Sequence, residues 1–282
     1  ELDLTVCPGA YVHLAPNIGG FVGGDHVTAL LATQDLWRGG TTTLVMDIGT
    51  NTEISLIHRG DITSASCPSG PALEGGHISC GMRAAEGAIE RVTVEDGRIK
   101  IAVIGNRQPV GLCGSGVIDA MAALRQAGIL DDGGRIAGQH PDIEDVDGKR
   151  AAILAPGVYF NQHDVRAVQL AKAAIRTGIE LLLRDRHLHE HDIELVVIAG
   201  AFGSYIDVAS AIAIGLLPTL PLDRFKQVGN AAGAGVRQML ASRQARARGR
   251  ELAQACRYLE LSTRTDFQKT FLHNIGFKSR PK

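Results

Sequence analysis

Between residues 43 and 66 the chain alternates apolar runs with short polar breaks. Leu44, Val45 and Met46 lead into Asp47-Ile48-Gly49-Thr50-Asn51, a run from Glu53 to Ile57 follows, Arg59-Gly60-Asp61 interrupts, and Ile62 opens a last run to Ser66. Runs of this length bounded by Gly, Asn and Asp predict a three-stranded antiparallel meander. Residues 91–105 alternate around Asp96-Gly97, a pair that favours a tight hairpin, and read as an inserted second hairpin. Apolar residues then recur at helical spacing over 116–130, where Asp131-Asp132-Gly133-Gly134 ends the helix. A longer amphipathic helix, the longest expected, starts behind Asp164 as N-cap and carries Val165, Val168, Ala171, Ile175, Ile179 and Leu182 on its apolar face.

Residues 195–199 read as a fully buried strand that runs into Gly200-Ala201-Phe202-Gly203 and a helix over about 205–214. Strand, glycine turn and helix form the arrangement that faces nucleotides in α/β folds. A short strand at Gln227-Val228, a glycine- and alanine-rich run over 229–235 and a helix to about Ser242 come next. The tail predicts a helix to about Cys256, a strand over 258–261 and a helix over 266–271.

Composition narrows the classes. A chain of 282 residues with 45% hydrophobic and 21% charged residues has a sizeable core to bury. Twenty-nine Lys and Arg against 30 Asp and Glu leave a net charge of −1, which offers no basic field for nucleic acid. No apolar run approaches the roughly 20 residues of a membrane span. Cys7, Cys67, Cys80, Cys113 and Cys256 show no C-x-x-C spacing, so neither a disulfide framework nor a self-contained cluster site is expected, and the thiols read as reduced, in a cytoplasmic protein. His187, His189 and His191 sit in a polar turn and read as solvated, not as ligands. The start at Glu1, without an initiator Met and directly before an apolar pattern, reads as a fragment lacking its N-terminal part.

Glycine, at 34 of 282 residues or about 12% against a usual ~7%, signals close backbone approaches. In Asp47-Ile48-Gly49-Thr50-Asn51-Thr52-Glu53, the glycine admits a phosphate without Cβ obstruction, amides and Thr hydroxyls can donate to it, and Asp47 can hold a water of hydrated Mg²⁺. An ordinary hairpin turn with Asx hydrogen bonding explains the same residues. The small residues of 199–203 suit a flat ligand, with Phe202 offering a face, or simply ease strand-to-helix packing. Two small-residue clusters, 19–24 and 229–235, each continue into helix-forming runs and predict two helices that cross closely at a domain joint.

Taken in order, these segments resemble the superfamily of sugar kinases, actin and the 70-kilodalton heat-shock chaperones (ASKHA), whose two ribonuclease-H-like lobes close around ATP. Pro16-Asn17-Ile18-Gly19-Gly20 is similar to the first connecting segment, 47–53 to the second phosphate motif, 198–203 to the adenosine motif and 229–235 to the second connecting segment. The runs Asp47-Ile48-Gly49-Thr50-Asn51, Ser69-Gly70-Pro71-Ala72-Leu73-Glu74-Gly75-Gly76, Gly81-Met82-Arg83-Ala84, Cys113-Gly114-Ser115-Gly116 and Gly215-Leu216-Leu217-Pro218 narrow the resemblance to the C-terminal ATPase domain of the reductive activators of corrinoid enzymes.

The resemblance implies an α/β fold: a ribonuclease-H-like (actin-like ATPase) lobe with a mixed sheet flanked by helices, plus a remnant of the sister lobe. It divides the chain into 1–40 (first-lobe remnant and connecting helix), 41–228 (second lobe with inserted hairpin and helices) and 229–282 (connecting helix and a return toward the first lobe). It further implies an ATPase part that drives reduction of Co(II) corrinoid to Co(I) on a corrinoid protein or corrinoid-dependent methyltransferase. The [2Fe–2S] centre is expected only in an upstream ferredoxin domain, and a homodimer is a candidate assembly.

Carried over residue by residue, Asp47, Gly49, Thr50, Asn51 and Thr52 would face phosphates and Mg²⁺, with Asp47 catalytic. Gly200, Ala201, Phe202 and Gly203 would line the adenosine, and Gln169, Lys172 and Arg176, on one helical face at i, i+3 and i+7, would meet the nucleoside. A solvated basic stripe explains Lys172 and Arg176 equally well. Ala199 stands where relatives often carry a first glycine, and no second phosphate loop occurs. Alternatives are a small-molecule kinase using Asp25 or Glu74 as base, or a non-catalytic nucleotide-sensing scaffold.

Overall fold

The apolar residues of the meander point alternately to two different cores, and this sets the layering of the molecule. The computed structural model describes residues 5–137, 139–200 and 202–277. In chain order the elements are α1 (Gly24–Trp37), β1 (Thr43–Ile48), β2 (Thr52–His58), β3 (Asp61–Cys67), β4 (Ala88–Glu95), β5 (Arg98–Val103), β6 (Gly111–Leu112) and α2 (Gly114–Gln126). There follow β7 (Ile143–Val146), β8 (Lys149–Ala155), β9 (Val158–Asn161), α3 (Gln162–Asp185), β10 (Leu195–Ala199), α4 (Val208–Ala213) and β11 (Phe225–Gly229). The chain ends in α5 (Ala231–Ala241), α6 (Arg243–Ala255), β12 (Cys256–Tyr258) and α7 (Phe267–Ile275).

The main sheet has the order β11-β10-β1-β2-β3-β12, with β2 antiparallel to β1 and β3. β10, β11 and β12 each lie parallel to their neighbours. Leu44, Met46, Ile54 and Leu56 face one layer, built from α2 and α3, together with Val117, Ile118, Met121, Val168, Ile175 and Ile179. Val45, Ile57 and Val197 face the other, with Val27, Leu30 and Trp37 of α1, Met239 of α5 and Leu252 of α6. Each such side chain contributes roughly 1.5–3 kcal/mol by leaving water. This is the mixed, helix-flanked sheet of a ribonuclease-H-like lobe.

α1 and α5 cross closely, as their small residues predict. A β-carbon at Gly235 would overlap the Thr28 carbonyl oxygen, and Ala29, Ala199 and Ala231 form a small buried cluster at the contact. Among the described residues no helix is long and apolar enough to cross a membrane.

Three expectations change. Asn161, not Asp164, is the N-cap of α3: its side chain accepts from the amides of His163 and Asp164, and Asp164 at N3 accepts from the Asn161 amide at 2.9 Å. That reciprocal pair is a capping box, which places the acid three residues inside the helix. α4 begins only at Val208, because Gln227 Nε2 donates to the carbonyls of Gly203 and Ile206 and holds those residues in a turn, while Asp207 caps the helix through the Ser210 amide. The sheet β7-β8-β9 is an addition, although Asp147 and Gly148 adopt the same pair of left-handed conformations as the hairpin pair Asp96-Gly97. Beyond α6, β12 pairs with β3, and Phe277 packs in the main core, 5% exposed.

Candidate nucleotide site

β1 and β10 are parallel neighbours with Asp47 in register with Ala199, so the turns that follow both strands emerge at the same sheet edge. Gly200 has φ +96°, a region that favours glycine, and a β-carbon there would lie 2.5 Å from the Ile48 carbonyl oxygen and 3.0 Å from Asp47 Oδ1. The Gly200 amide donates to the Gly229 carbonyl at 3.0 Å, which brings the end of β11 to the same place. Asn230 then caps α5 by accepting from the Gly233 amide.

Between these strand ends opens a cavity of about 460 Å³. Asp47, Ile48, Gly49, Thr50, Asn51 and Glu53 form one wall, Gly200, Phe202, Asn230 and Ala232 another, and Asp25 and Glu74 stand at the rim. The first wall is braced from outside. The Gly70 amide donates to the Thr50 carbonyl at 2.8 Å, the Ser69 hydroxyl lies 3.1 Å from the Gly49 carbonyl, and the Thr50 hydroxyl donates to Glu74 Oε2 at 3.1 Å.

Every charged residue of this lining is an acid. Burial pushes the Asp47 carboxyl up to about 6, with the Asp25 charge adding to the effect. Glu53, the cross-strand partner of Asp47, is pushed up to about 7, first by burial and then by Asp25, against a lowering hydrogen bond from the Ser66 hydroxyl. A bare triphosphate would be repelled here, whereas a divalent cation would relieve the carboxylates. Among the described residues no three His, Cys, Asp or Glu side chains group so as to hold a metal ion directly. One or two carboxylates acting through water, with phosphates completing the shell, is the way Mg²⁺ is commonly held, and this donor set fits it.

Of the residues named from sequence, Asp47, Gly49, Thr50, Asn51, Gly200 and Phe202 meet in this cavity. Ala201 lies outside the described residues. Thr52 is fully buried, its hydroxyl 3.0 Å from that of Ser69, and does not line the cavity. Gly203 does not either: a β-carbon there would overlap the Ala199 carbonyl, so this glycine serves the turn itself.

Gln169, Lys172 and Arg176 share one face of α3, but that face carries the chain's own C-terminal segment and not the cavity. Gln169 Nε2 donates to the carbonyls of Gly133 and Ile275 at 2.9 and 3.0 Å, and Lys172 Nζ donates to those of Asn274 and Gly276, both at 2.7 Å. Arg176 pairs with Glu190 and, at 3.5 Å, with Glu180. Glu53, Asn230 and Ala232 also line the cavity; they fall within the segments 47–53 and 229–235, to which the sequence assigns roles as runs and not residue by residue. Glu53 was legible in principle, because a turn over 48–52 sets residue 53 opposite residue 47. Asn230 and Ala232 come from the third strand end, within the run 229–235, and local sequence does not show that this run reaches the same cavity.

Comparison with known proteins gives the family. The model of the C-terminal domain of RACo, the ASKHA domain, matches residues 41–281. The chain is 38% identical over 294 aligned residues to the corrinoid activation enzyme RamQ of Eubacterium limosum, covering 98% of this chain and 49% of that protein. It is 30% identical over 247 residues to the [Co(II) methylated amine-specific corrinoid protein] reductase of Methanosarcina barkeri, covering 80% of this chain and 43% of that one. A solved structure, a reductive activator for corrinoid, iron-sulfur protein, superposes with a TM-score of 0.85 at 37% identity, over 93% of this chain and 43% of that chain. The chain thus spans about half the length of the relatives it matches. A mixed sheet with paired strand-end turns, matched to these relatives along nearly its whole length, makes this chain a member of the family of C-terminal ASKHA domains of RACo.

Proposed function

We propose that this chain binds Mg-ATP in the cavity at the ends of β1 and β10, and that within a longer protein it makes reduction of a Co(II) corrinoid to Co(I) dependent on ATP. The observation that carries the reading is the meeting of Asp47 and Gly200: two turns 153 residues apart present a carboxylate and a side-chain-free backbone to one cavity. Gly49 and Thr50 would present backbone amides to phosphate oxygens, the Thr50 hydroxyl being engaged by Glu74, and Phe202 would offer a ring face to the base. Mg²⁺ held with the nucleotide would neutralise the phosphates against four surrounding carboxylates, Asp25, Asp47, Glu53 and Glu74. Asp47 would orient water at the terminal phosphate, its Oδ1 lying 3.0 Å from where a side chain at Gly200 would begin.

The names of the relatives support the corrinoid half of the reading. The substrate would be a Co(II) corrinoid on a corrinoid protein or a corrinoid-dependent methyltransferase, and the electron would come from a [2Fe–2S] centre in a separate ferredoxin-type domain. Nucleotide shifts a conformational equilibrium only by its differential affinity for two states, so ATP must favour the state in which cobalt is more easily reduced.

The test uses the full-length protein with Co(II)-corrinoid protein and a ferredoxin-level reductant, following Co(I) absorbance. Reduction should require ATP and Mg²⁺ together, and calorimetric ATP binding should vanish in EDTA. Equal reduction with and without ATP would remove the coupling, and ATP binding that survives EDTA would remove the role given to the acidic lining.

A further inference from the structure

We propose that Gly114, the first residue of α2, is a positioning residue of the nucleotide cavity, through which α2 registers whether the cavity is filled. The inference rests on the ATP reading above and extends it to an element that does not line the cavity.

Two separate parts of the cavity wall come to rest on this one residue. A β-carbon at Gly114 would overlap the Phe202 ring, with Cδ2 at 2.7 Å, and would also overlap the Leu73 carbonyl oxygen. Phe202 belongs to the wall after β10, and the edge of its ring occupies the space a side chain at Gly114 would fill. Leu73 precedes Glu74 in the short helical turn Pro71–Glu74, and Glu74 in turn accepts from the Thr50 hydroxyl in the wall after β1. The aromatic face and the brace of the phosphate turn are therefore set by the same backbone atoms.

On its other side, α2 is tied to the sheet β5-β4-β6. The Ser115 hydroxyl donates to the Glu90 carbonyl at 3.0 Å, the Cys113 amide donates to the Ile89 carbonyl at 3.1 Å, and Asp119 lies 3.6 Å from Arg91. Closure of the cavity walls on a ligand would press on Gly114 and pass through these bonds to β4. Interiors of this density shift as rigid pieces and not as a fluid, so such a displacement is transmitted.

Gly116 supplies a matched control. A β-carbon there would equally overlap a backbone carbonyl, that of Ile89, but it faces β4 and touches neither cavity wall. Gly114→Ala and Gly116→Ala should thus lower the melting temperature by comparable amounts, while only Gly114→Ala should raise the Kd for ATP in the presence of Mg²⁺, by tenfold or more. Equal changes in Kd for the two variants, or none for Gly114→Ala, would overturn the proposal.

Should Gly114→Ala fail to fold, hydrogen exchange on the unsubstituted protein decides. Mg-ATP should slow exchange in the first two turns of α2 as well as over 47–51. Protection confined to 47–51 would overturn the proposal and leave the ATP site standing. If the unsubstituted full-length protein does not bind ATP, the reading of the site fails and takes this inference with it.

Discussion

Asp47 and Glu53 at the strand ends and Gln169 and Lys172 on α3 are all polar side chains set into a mostly apolar interior, yet their partners differ in kind. The two acids find few donors within the chain and are pushed up to about 6 and about 7. Gln169 and Lys172 are more deeply buried, 1% and 2% exposed, and their amine and amide hydrogens reach four backbone carbonyls, two at the C-terminal end of α7. Their hydrogens have acceptors within the chain, although burial still lowers the Lys172 amine to about 7. Burial alone therefore does not mark a ligand site. A polar group that the chain leaves short of partners does, and one whose partners are complete is part of the fold.

Substitution separates the two regions most sharply at Asp47. Asp47→Asn should lower ATP hydrolysis by the full-length protein on the order of 100-fold or more, by phosphate release, as expected for a group acting on the developing charge. Because it removes a half-buried charge, the melting temperature should stay level or rise. Retained hydrolysis would take Asp47 out of the site.

Lys172→Met should do the reverse. Loss of donors to the carbonyls of Asn274 and Gly276 should cost about 1–3 kcal/mol in chemical denaturation and speed hydrogen exchange in α7, with the Kd for ATP unchanged. A change in ATP affinity larger than the change in stability would break the contrast and return α3 to the nucleotide site.

The smallest effect is on pH dependence, and it has opposite signs in the two regions. Asp47 and Glu53 have raised carboxyls in the folded state, so the stability tied to them is present below about pH 4 and is lost as pH rises through 6 and 7. Lys172 is lowered by burial, and secondarily by Arg125 and Arg176, from 10.5 to about 7. Its cost is therefore complete below pH 7 and relieved as pH rises toward 10.5. Melting temperatures of the nucleotide-free protein should fall by a few degrees between pH 5 and 7.5, a slope that Glu53→Gln flattens, and Lys172→Met should flatten any rise between pH 8 and 10. Unchanged slopes in both variants would show that these groups do not carry the dependence.

Much of the architecture was legible because it is written locally. The meander, the Asp96-Gly97 hairpin and the apolar stripe of α3 depend on periodicities of two or 3.6 residues and on turn residues a few positions away. The hairpin of β7 and β8 carries the same Asp-Gly signal at Asp147-Gly148, but its first strand is only Ile143–Val146, too short for period-two alternation to mark it. The sequence does not separate Asn161 from Asp164 as the N-cap of α3, because both are good capping residues and only the geometry tells cap from N3.

From its sequence alone the chain determined the buried strands β1 and β10, the glycine turns that follow them and the acid at the first of these turns. Spacing along one chain specifies which residues share an element and a face. Only the tertiary structure decided what each face meets: the parallel pairing that sets Asp47 beside Gly200, and the return of the C-terminal segment onto Gln169 and Lys172. The physical reason is that a buried donor or acceptor takes whichever partner the packing of distant elements delivers, and no local pattern records that delivery.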